Sequence, residues 1–219
     1  ALSSRYPGTL SGGQQQRASI ARALAPGNSL VLMDEPFSSL DPSLRREMGQ
    51  LMKTLQREMN LTVIFVTHDV TEALQLSDEM VLLKEGRVLE SGTPQALYEK
   101  PQKVETAQFM EAGNLVEGTV TQGVFQCALG SFPADSAEEG AAVGLLPEHQ
   151  VSLVPGSHSG KVMEIRYLGK SRQVKVMVDG TPLWVEDRSP EPMIVGQGVK
   201  IKLPQRMHVI STGQKAESP

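Results

Sequence analysis

The sequence is poor in cysteine, in aromatic residues and in long apolar runs, and each shortage excludes a class of protein. Its single cysteine, Cys127, rules out an internal disulfide framework and fits a reducing cytosol. No apolar run is long enough to span a membrane. Aromatic residues make up 4% of the 219 residues and the formal net charge is −4, which argues against a nucleic-acid surface because such surfaces need basic grooves and stacking aromatics.

A short stretch of small and polar residues near the start precedes a helix-favouring run. Ser11-Gly12-Gly13 leads directly into residues 14–24. Ser11 can cap this helix, and the two glycines let a ligand approach bare backbone N–H groups. Because a helix start carries partial positive charge, the stretch suits a phosphate. An ordinary Ser-capped helix has the same pattern, so the interpretation depends on the motifs further along the chain.

Two apolar runs further along the chain end in residues that can do chemistry. Residues 30–33 have the pattern of a buried parallel strand and are followed by Asp34-Glu35, while residues 63–67 have the same pattern and are followed by His68. Two carboxylates at the carboxyl end of a strand suit metal-assisted phosphoryl chemistry. Judged alone, the carboxylates are typical of a solvated turn, and a lone histidine is typical of a structural residue.

Between the two runs lies a predicted amphipathic helix. Asp41 can cap it and Pro42 suits its first position. Apolar residues then recur at helical spacing, which predicts that one side of the helix faces a core. The residues on that side are Leu44, Met48, Leu51, Met52, Leu55 and Met59.

These elements, in this order, resemble the motifs of the ABC-transporter ATPases. Residues 10–14 are similar to the LSGGQ signature, Asp34-Glu35 to the Walker B element with its catalytic Glu, residues 38–41 to the D-loop, and His68 to the switch histidine. The resemblance implies an α/β P-loop NTPase fold with ATP and Mg²⁺ as cofactors. It implies Asp34 as the Mg²⁺ residue, directly or through water, and Glu35 and His68 as catalytic residues.

The same resemblance implies that the site is shared between two subunits. In this family two subunits dimerise head to tail around two ATP molecules, and each site pairs the phosphate loop of one subunit with the signature of the other. The nucleotide-binding residues that it implies here are Ser11, Gly12, Gly13, Gln14 and Asp41. Ser11, Gly13 and Gln14 would therefore face the γ-phosphate of a partner's ATP.

The 219 residues contain no strand–GxxxxGK(S/T)–helix phosphate loop, which the family needs to hold the β- and γ-phosphates. The nearest match is residues 156–162, but its glycines are one residue too close and Val162 replaces the Mg²⁺-binding hydroxyl. A strand, not a helix, is predicted to follow, so this match is rejected. We therefore expect the sequence to be the C-terminal portion of a longer ATPase, inactive without its Walker A region.

The order of patterns predicts four segments. Residues 1–103 form the C-terminal part of an ABC ATPase domain, 104–113 a connector, 114–212 an all-β domain and 213–219 a disordered tail. A hairpin is predicted around residues 84–86. Short strands separated by Gly, Pro and Asp clusters are predicted at residues 116–120, 142–146, 162–167, 174–178 and 199–203.

The β segment is similar to the TOBE module, an OB-like barrel appended to many bacterial importer ATPases. The likeness is carried by residues 145–149, 160–162 and 167–169. A generic Greek-key domain without this ancestry has the same alternation of strands and turns. In either interpretation Pro147-Glu148 and Gly169 are typical of turns and barrel closure, not of ligands.

Together the resemblances imply an ATP-hydrolysing subunit of a bacterial ABC importer, peripheral on the cytoplasmic face of the inner membrane. The implied partners are a second copy, bound through the ATPase and TOBE domains, and transmembrane permease subunits. A periplasmic or lipid-anchored solute-binding protein acts indirectly, and nucleic acid is not a partner. The solute stays open among ferric iron, polyamines, sulfate, molybdate, thiamine and sugars. Residues 109–114 are similar to the ferric-iron, polyamine and thiamine branch.

Three other functions compete with this one. A soluble ABC ATPase of translation or DNA repair is disfavoured by the β pattern after Asn114. A single-strand nucleic-acid binder is disfavoured by the shortage of aromatic residues and of positive charge. A non-enzymatic regulatory or dimerisation chain, with an OB-like domain that senses a ligand, remains open.

Overall fold

The computed structural model describes residues 6–134, 137–154, 156 and 158–212. Contacts divide the chain into two compact units, residues 1–80 and 81–219. This division lies earlier in the chain than the predicted end of the ATPase segment at residue 103, which stays a prediction. The predicted disordered tail, residues 213–219, lies outside the described residues.

The first unit alternates helices and strands, as its sequence pattern predicts. Its two strands, β1 and β2, pair in parallel, which requires the intervening helix as a crossover. After a 3-10 turn at Pro7–Thr9, the elements are α1 at Gly12–Leu24, β1 at Leu30–Asp34, α2 at Pro42–Glu58, β2 at Thr62–Val66 and α3 at Val70–Leu76.

Helix α2 packs its apolar side against a small core. Of the six residues predicted to face that core, Met48 and Met52 are buried. Three leucines pack half-buried against the same cluster: Leu44, Leu51 and Leu55. The prediction is wrong for Met59, which is 45% exposed. Met59 is the C-cap residue, so the helix has ended before the periodic pattern does.

The two strands of the first unit are not buried on both faces. Met33 and Val63 pack against the helical core, whereas Leu32, Ile64 and Val66 are each more than half exposed in this structure. Successive side chains of a strand point to opposite faces of the sheet, so one face of β1 and β2 is packed and the other is open. The prediction of two fully buried strands is therefore wrong for the described residues.

A hairpin and two short helices come next in the chain. β3 at Met80–Lys84 and β4 at Arg87–Gly92 form the predicted hairpin. Its turn residues Glu85 and Gly86 have φ of +52 and +73, the left-handed values that a tight two-residue hairpin turn requires. Helix α4, at Pro94–Glu99, begins at its Thr93 cap.

The predicted connector contains a helix that the sequence pattern does not reveal. Helix α5 spans Val104–Phe109, and its N-cap residue, Lys103, makes no side-chain capping bond. The carboxylate of Glu90 in β4 holds this helix start instead. It accepts hydrogen bonds from the Gln102 N–H over 3.0 Å and from the Thr106 hydroxyl over 2.6 Å. The predicted connector, residues 104–113, therefore contains a helix, and its role between two domains stays a prediction.

From Asn114 onward the described residues form strands and one 3-10 turn, at Glu148–Gln150. The strands lie in two sheets, ordered β13-β8-β5-β6-β7 and β11-β10-β9-β12. In chain order they are β5 at Asn114–Thr121, β6 at Val124–Cys127, β7 at Gly130–Pro133, β8 at Gly140–Leu146, β9 at His158–Tyr167, β10 at Arg172–Val178, β11 at Thr181–Asp187, β12 at Gly198–Ile201 and β13 at His208–Ser211.

The two sheets enclose one apolar core. Val116 and Val120 from β5 pack in the same cluster as Val174, Val176 and Val178 from β10. Buried and half-buried residues alternate along β10, and each of the five predicted strands overlaps a strand of the structure. The last of them ends two residues earlier than predicted, at residue 201. The likeness of this region to an OB-like TOBE barrel stays a prediction.

The segment rejected as a phosphate loop lies in this β region. From His158 onward it belongs to β9, a strand, and Gly160 pairs with Val178 of β10. A Cβ atom on Gly160 would lie 2.5 Å from Cγ1 of Val176. This glycine therefore serves close packing of β9 on β10, and the rejection is confirmed.

Candidate functional site

The two parallel strands of the first unit end side by side. Asp34, the last residue of β1, lies opposite Val66, the last residue of β2. The pairing continues for one more step, because the Glu35 N–H donates to the Val66 carbonyl over 2.9 Å. Parallel pairing therefore brings Asp34, Glu35 and the residues that come after Val66, His68 among them, to the same edge of the sheet.

The side chains of Glu35 and His68 meet at this edge. Nδ1 of His68 lies 3.1 Å from Oε1 of Glu35, and the His68 and Glu35 side chains are 74% and 46% exposed, respectively. A side-chain contact with this exposure contributes little to stability. The contact instead leaves both groups accessible to a ligand that approaches from solvent.

The backbone of Glu35 is held in an unusual conformation. Its φ of +42 lies in the left-handed region, which residues other than glycine seldom adopt. A short turn maintains it: the hydroxyl of Ser38 donates to the Glu35 carbonyl over 3.0 Å, and the buried Phe37 anchors the turn in the core. Five further non-glycine residues of the described part also have a left-handed φ, so at Glu35 the conformation is informative only because it occurs at the edge that also carries His68.

Asp34 contributes a second exposed carboxylate at the same edge. Within the described part of the chain, no group of three or more His, Cys, Asp or Glu side chains could hold a metal ion. Mg²⁺ usually takes one or two carboxylates and completes its octahedron with waters and substrate phosphate oxygens. The residues present therefore fit a Mg²⁺ ion that is shared with a phosphate, and they do not form a metal cage of their own.

The signature-like stretch forms the start of α1. Ser11 is the N-cap: its hydroxyl accepts a hydrogen bond from the Gln14 N–H over 3.4 Å, and Oε1 of Gln14 accepts one from the Ser11 N–H over 3.2 Å. This reciprocal capping box is the predicted Ser-capped helix start. Nε2 of Gln14, the group that could donate to a phosphate, takes no part in the capping box.

The two glycines of the stretch have different surroundings. Gly13 is buried, and a Cβ atom there would lie 2.6 Å from Cδ2 of Leu44 in α2. Gly12 is exposed, and its nearest contact would be Cδ2 of Leu40 at an ordinary 3.8 Å. Gly13 therefore allows α1 to approach α2 closely, whereas Gly12 leaves backbone open to solvent.

Asp41 has a structural task that its sequence position predicts. Its Oδ1 accepts hydrogen bonds from the N–H groups of Ser43 and Leu44 over 2.9 and 3.0 Å, which caps α2. Pro42 occupies the first turn, as expected. A further role of Asp41 toward a nucleotide stays a prediction.

The structure brings some predicted site residues together and keeps others apart. Glu35 and His68 are in contact, and Asp34 adjoins them. Among the described hydrogen bonds and ion pairs, none joins residues 11–14 to Asp34, Glu35 or His68. The chain therefore presents two separate part-sites, a carboxylate–imidazole edge and an open helix start.

Several residues that hold the backbone around His68 were missed from the sequence. Asp69 caps α3, because its Oδ1 accepts from the N–H groups of Thr71 and Glu72 over 2.8 and 3.2 Å. The Thr67 hydroxyl accepts from the Asp69 N–H over 3.1 Å and donates to Oε2 of Glu72 over 2.7 Å. The Asp-x-x-Glu spacing is that of a helix start, and it is the sequence signal that could have revealed this cap.

Comparison with known proteins shows which proteins the chain resembles. The family model described as ABC transporter matches residues 2–38, which include the signature stretch and both carboxylates. Over most of its length the chain is similar to ATP-binding subunits of ABC importers.

Three relatives illustrate the similarity. The chain is 36% identical over 211 residues to the Fe(3+) ions import ATP-binding protein FbpC of Haemophilus influenzae (strain 86-028NP), covering 92% of this chain and 60% of the relative. It is 38% identical over 196 residues to the spermidine/putrescine import ATP-binding protein PotA 1 of Pseudomonas aeruginosa, covering 83% and 53%. It is 32% identical over 207 residues to the sulfate/thiosulfate import ATP-binding protein CysA of Bordetella pertussis, covering 91% and 58%.

The extent of these matches limits what they establish. The chain spans 53% to 60% of the length of these three relatives. Their names give three different solutes, so similarity alone does not select one of them. Among the described residues, no helix has the length and apolar character needed to cross a membrane.

Proposed function

We propose that this chain is part of the ATP-binding and ATP-hydrolysing subunit of a bacterial ABC importer. The observation that carries the proposal is the contact between Glu35 and His68 at the ends of two paired parallel strands. A carboxylate that touches an imidazole at such an edge suits the attack of water on a terminal phosphate. The similarity to importer ATP-binding subunits supports the same assignment.

Each side chain at the edge has a separate task in this proposal. Asp34 holds Mg²⁺, directly or through one of its waters, and Glu35 orients and polarises the attacking water. His68 contacts the γ-phosphate and, through its other ring nitrogen, keeps the Glu35 carboxylate in place. Mg²⁺, when bound, neutralises charge on the phosphate oxygens.

A second copy of the chain completes each site. In the proposed head-to-tail dimer, Ser11, Gly12, Gly13, Gln14 and Asp41 of one copy bind the ATP held by the other. The exposed start of α1 offers N–H groups and partial positive charge to a γ-phosphate. This arrangement accounts for the separation of the signature stretch from the carboxylates within one chain.

The remaining assignments rest on the same family likeness. Residues 1–103 belong to the ATPase domain, and residues 114–212 form a TOBE domain that extends the homodimer. Transmembrane permease subunits hold the ATPase at the cytoplasmic face of the membrane, and a periplasmic or lipid-anchored solute-binding protein delivers the solute to them. No solute is selected, because the relatives differ in the solute they are named for.

The proposal predicts that ATPase activity depends on a phosphate loop. We define the joined protein as this chain fused, before residue 1, to the leading half of an ABC ATPase that includes a strand–GxxxxGK(S/T)–helix loop. The joined protein is expected to hydrolyse ATP with Mg²⁺, and the 219-residue chain is expected to show no turnover and negligible ATP affinity. The reason is that Asp34 and Glu35 would otherwise meet a polyanion without the Lys and the N–H cradle that hold it.

Phosphate release and calorimetric ATP titration measure both proteins side by side. A folded joined protein with no turnover would contradict the proposed function. Turnover by the 219-residue chain that Glu35→Gln abolishes would contradict the need for the loop. Circular dichroism of both proteins serves as the control that each is folded.

A further inference from the structure

One arginine connects the two loops that carry His68 and Asp41. Arg45 lies in the first turns of α2, and its side chain is 31% exposed. Its Nη1 donates to Oδ2 of Asp69 over 2.9 Å, and its Nη2 donates to the carbonyl of Leu40 over 3.2 Å. Leu40 directly precedes Asp41, and Asp69 directly follows His68, so a single guanidinium spans both segments.

A third contact places the same guanidinium beside a buried carboxylate. Nε of Arg45 lies 3.3 Å from Oε1 of Glu72, whose side chain is only 7% exposed. The other oxygen of Glu72 accepts a hydrogen bond from the hydroxyl of Thr67, the residue before His68. The residues on either side of His68, Thr67 and Asp69, are therefore both tied to the Arg45–Glu72 pair.

The two carboxylate oxygens of Asp69 bind different partners, one nearby in the chain and one distant. Oδ1 caps α3, through the N–H groups of Thr71 and Glu72, and Oδ2 is bound by Arg45. The cap fixes the start of α3 locally, and the bond to Arg45 fixes that start relative to α2. Movement of either segment would therefore be transmitted to the other through the planar guanidinium.

We propose that Arg45 is a positioning residue that sets His68 and Asp41 in a fixed relation to each other. It touches neither side chain and acts through the Asp69 carboxylate and the Leu40 carbonyl. The functional meaning of this relation rests on the proposed ATPase role of His68 and Asp41. The positions of the two segments relative to each other do not depend on that role, because they are a property of the chain without nucleotide.

Only an arginine suits this position. The guanidinium presents five N–H donors in a rigid plane. It donates to Asp69 and to the Leu40 carbonyl, while its buried Nε faces the Glu72 carboxylate at 3.3 Å without a hydrogen bond. A lysine keeps the charge but offers a single ammonium group at the end of a flexible chain. In Arg45→Lys, a positive charge is therefore expected to remain beside the Glu72 carboxylate. The simultaneous hydrogen bonds to Asp69 and to the Leu40 carbonyl are expected to be lost.

The test uses nuclear magnetic resonance of the full 219-residue chain without nucleotide. In Arg45→Gln, the ring signals of His68 are expected to shift, and the Thr71 and Glu72 amides are expected to exchange with solvent about tenfold faster, because Asp69 loses its second partner. The ring signals of the other three histidines serve as internal references. Arg46→Gln is the matched control, since Arg46 is the adjacent exposed arginine on the same helix, and it should leave His68 unchanged.

A second variant separates positioning from stability. Removing one partner of a buried ion pair lowers the stability of the fold more than replacing both partners, because the remaining charge is left uncompensated. The double variant Arg45→Met with Glu72→Gln should therefore fold even if Arg45→Gln does not. The double variant is expected to keep the circular dichroism of the unaltered chain and still to shift the His68 ring signals. His68 signals that coincide with those of the unaltered chain in a folded variant would overturn the proposal. The resonance experiment does not measure ATPase activity, so its result does not depend on whether the proposed function is correct.

Discussion

ATP turnover by the joined protein is expected to fall by about 100-fold or more when Glu35 is replaced by Gln. Glutamine keeps the size of the side chain but carries no negative charge to polarise the attacking water. The contact to Nδ1 of His68, which spans 3.1 Å in the structure, would then be made by an uncharged amide in place of a carboxylate. ATP binding should be retained, because the phosphate loop and Asp34 are unchanged.

Phosphate release and ATP titration on the same preparation distinguish the loss of chemistry from the loss of binding. Glu58→Gln is the matched control, since Glu58 is an exposed glutamate in the last turn of α2. It should leave turnover unchanged. Turnover that survives Glu35→Gln would mean that another group activates the water, and the role assigned to Glu35 would be wrong.

The largest effect on stability is expected from Asn114→Ala, which should lower the free energy of unfolding of the β region by about 3 kcal/mol. Asn114 is a buried residue at the start of β5. Its side chain donates to the carbonyls of Leu146, over 3.1 Å, and Trp184, over 2.8 Å, and accepts a hydrogen bond from the Trp184 N–H over 2.6 Å. It thus joins a strand of one sheet to β11 of the other, and alanine would leave three backbone groups without this partner.

Urea denaturation followed by tryptophan fluorescence measures this effect. Trp184 is the single tryptophan of the sequence, and its own backbone is held by Asn114. Thr119→Ala is the matched control, because Thr119 lies exposed on the same strand and should change stability by no more than about 0.5 kcal/mol. Equal unfolding midpoints for the two variants would contradict a stabilising role of Asn114.

The parts of the fold that the sequence predicts are those whose cause is local. The helix start at Ser11, the cap at Asp41 and the hairpin at residues 84–86 each depend on neighbouring residues, and the structure has all three. The sequence also predicts that Glu35 and His68 each follow a strand. Their contact depends on the parallel pairing of β1 with β2, two strands that are distant in the chain, so the local pattern alone does not contain it.

The parts that the sequence does not predict depend on distant residues. The start of α5 is held by Glu90 from another element, so no local cap marks it. The role of Arg45 depends on Asp69 and Glu72, which only the packing of α2 beside α3 brings within reach. The exposure of Leu32 likewise depends on which face of the sheet is covered, and strand periodicity does not contain that information.

The central claim is that the signature stretch of one copy serves the ATP of another, and mixing two inactive joined proteins tests it most directly. One carries Ser11→Asp, which keeps the helix cap and places a negative charge against a phosphate. The other carries Glu35→Gln. Each alone should be nearly inactive, and their equimolar mixture should recover turnover, because one of its two sites combines an intact Glu35 with an intact signature from the partner. A mixture as inactive as its components would contradict the account.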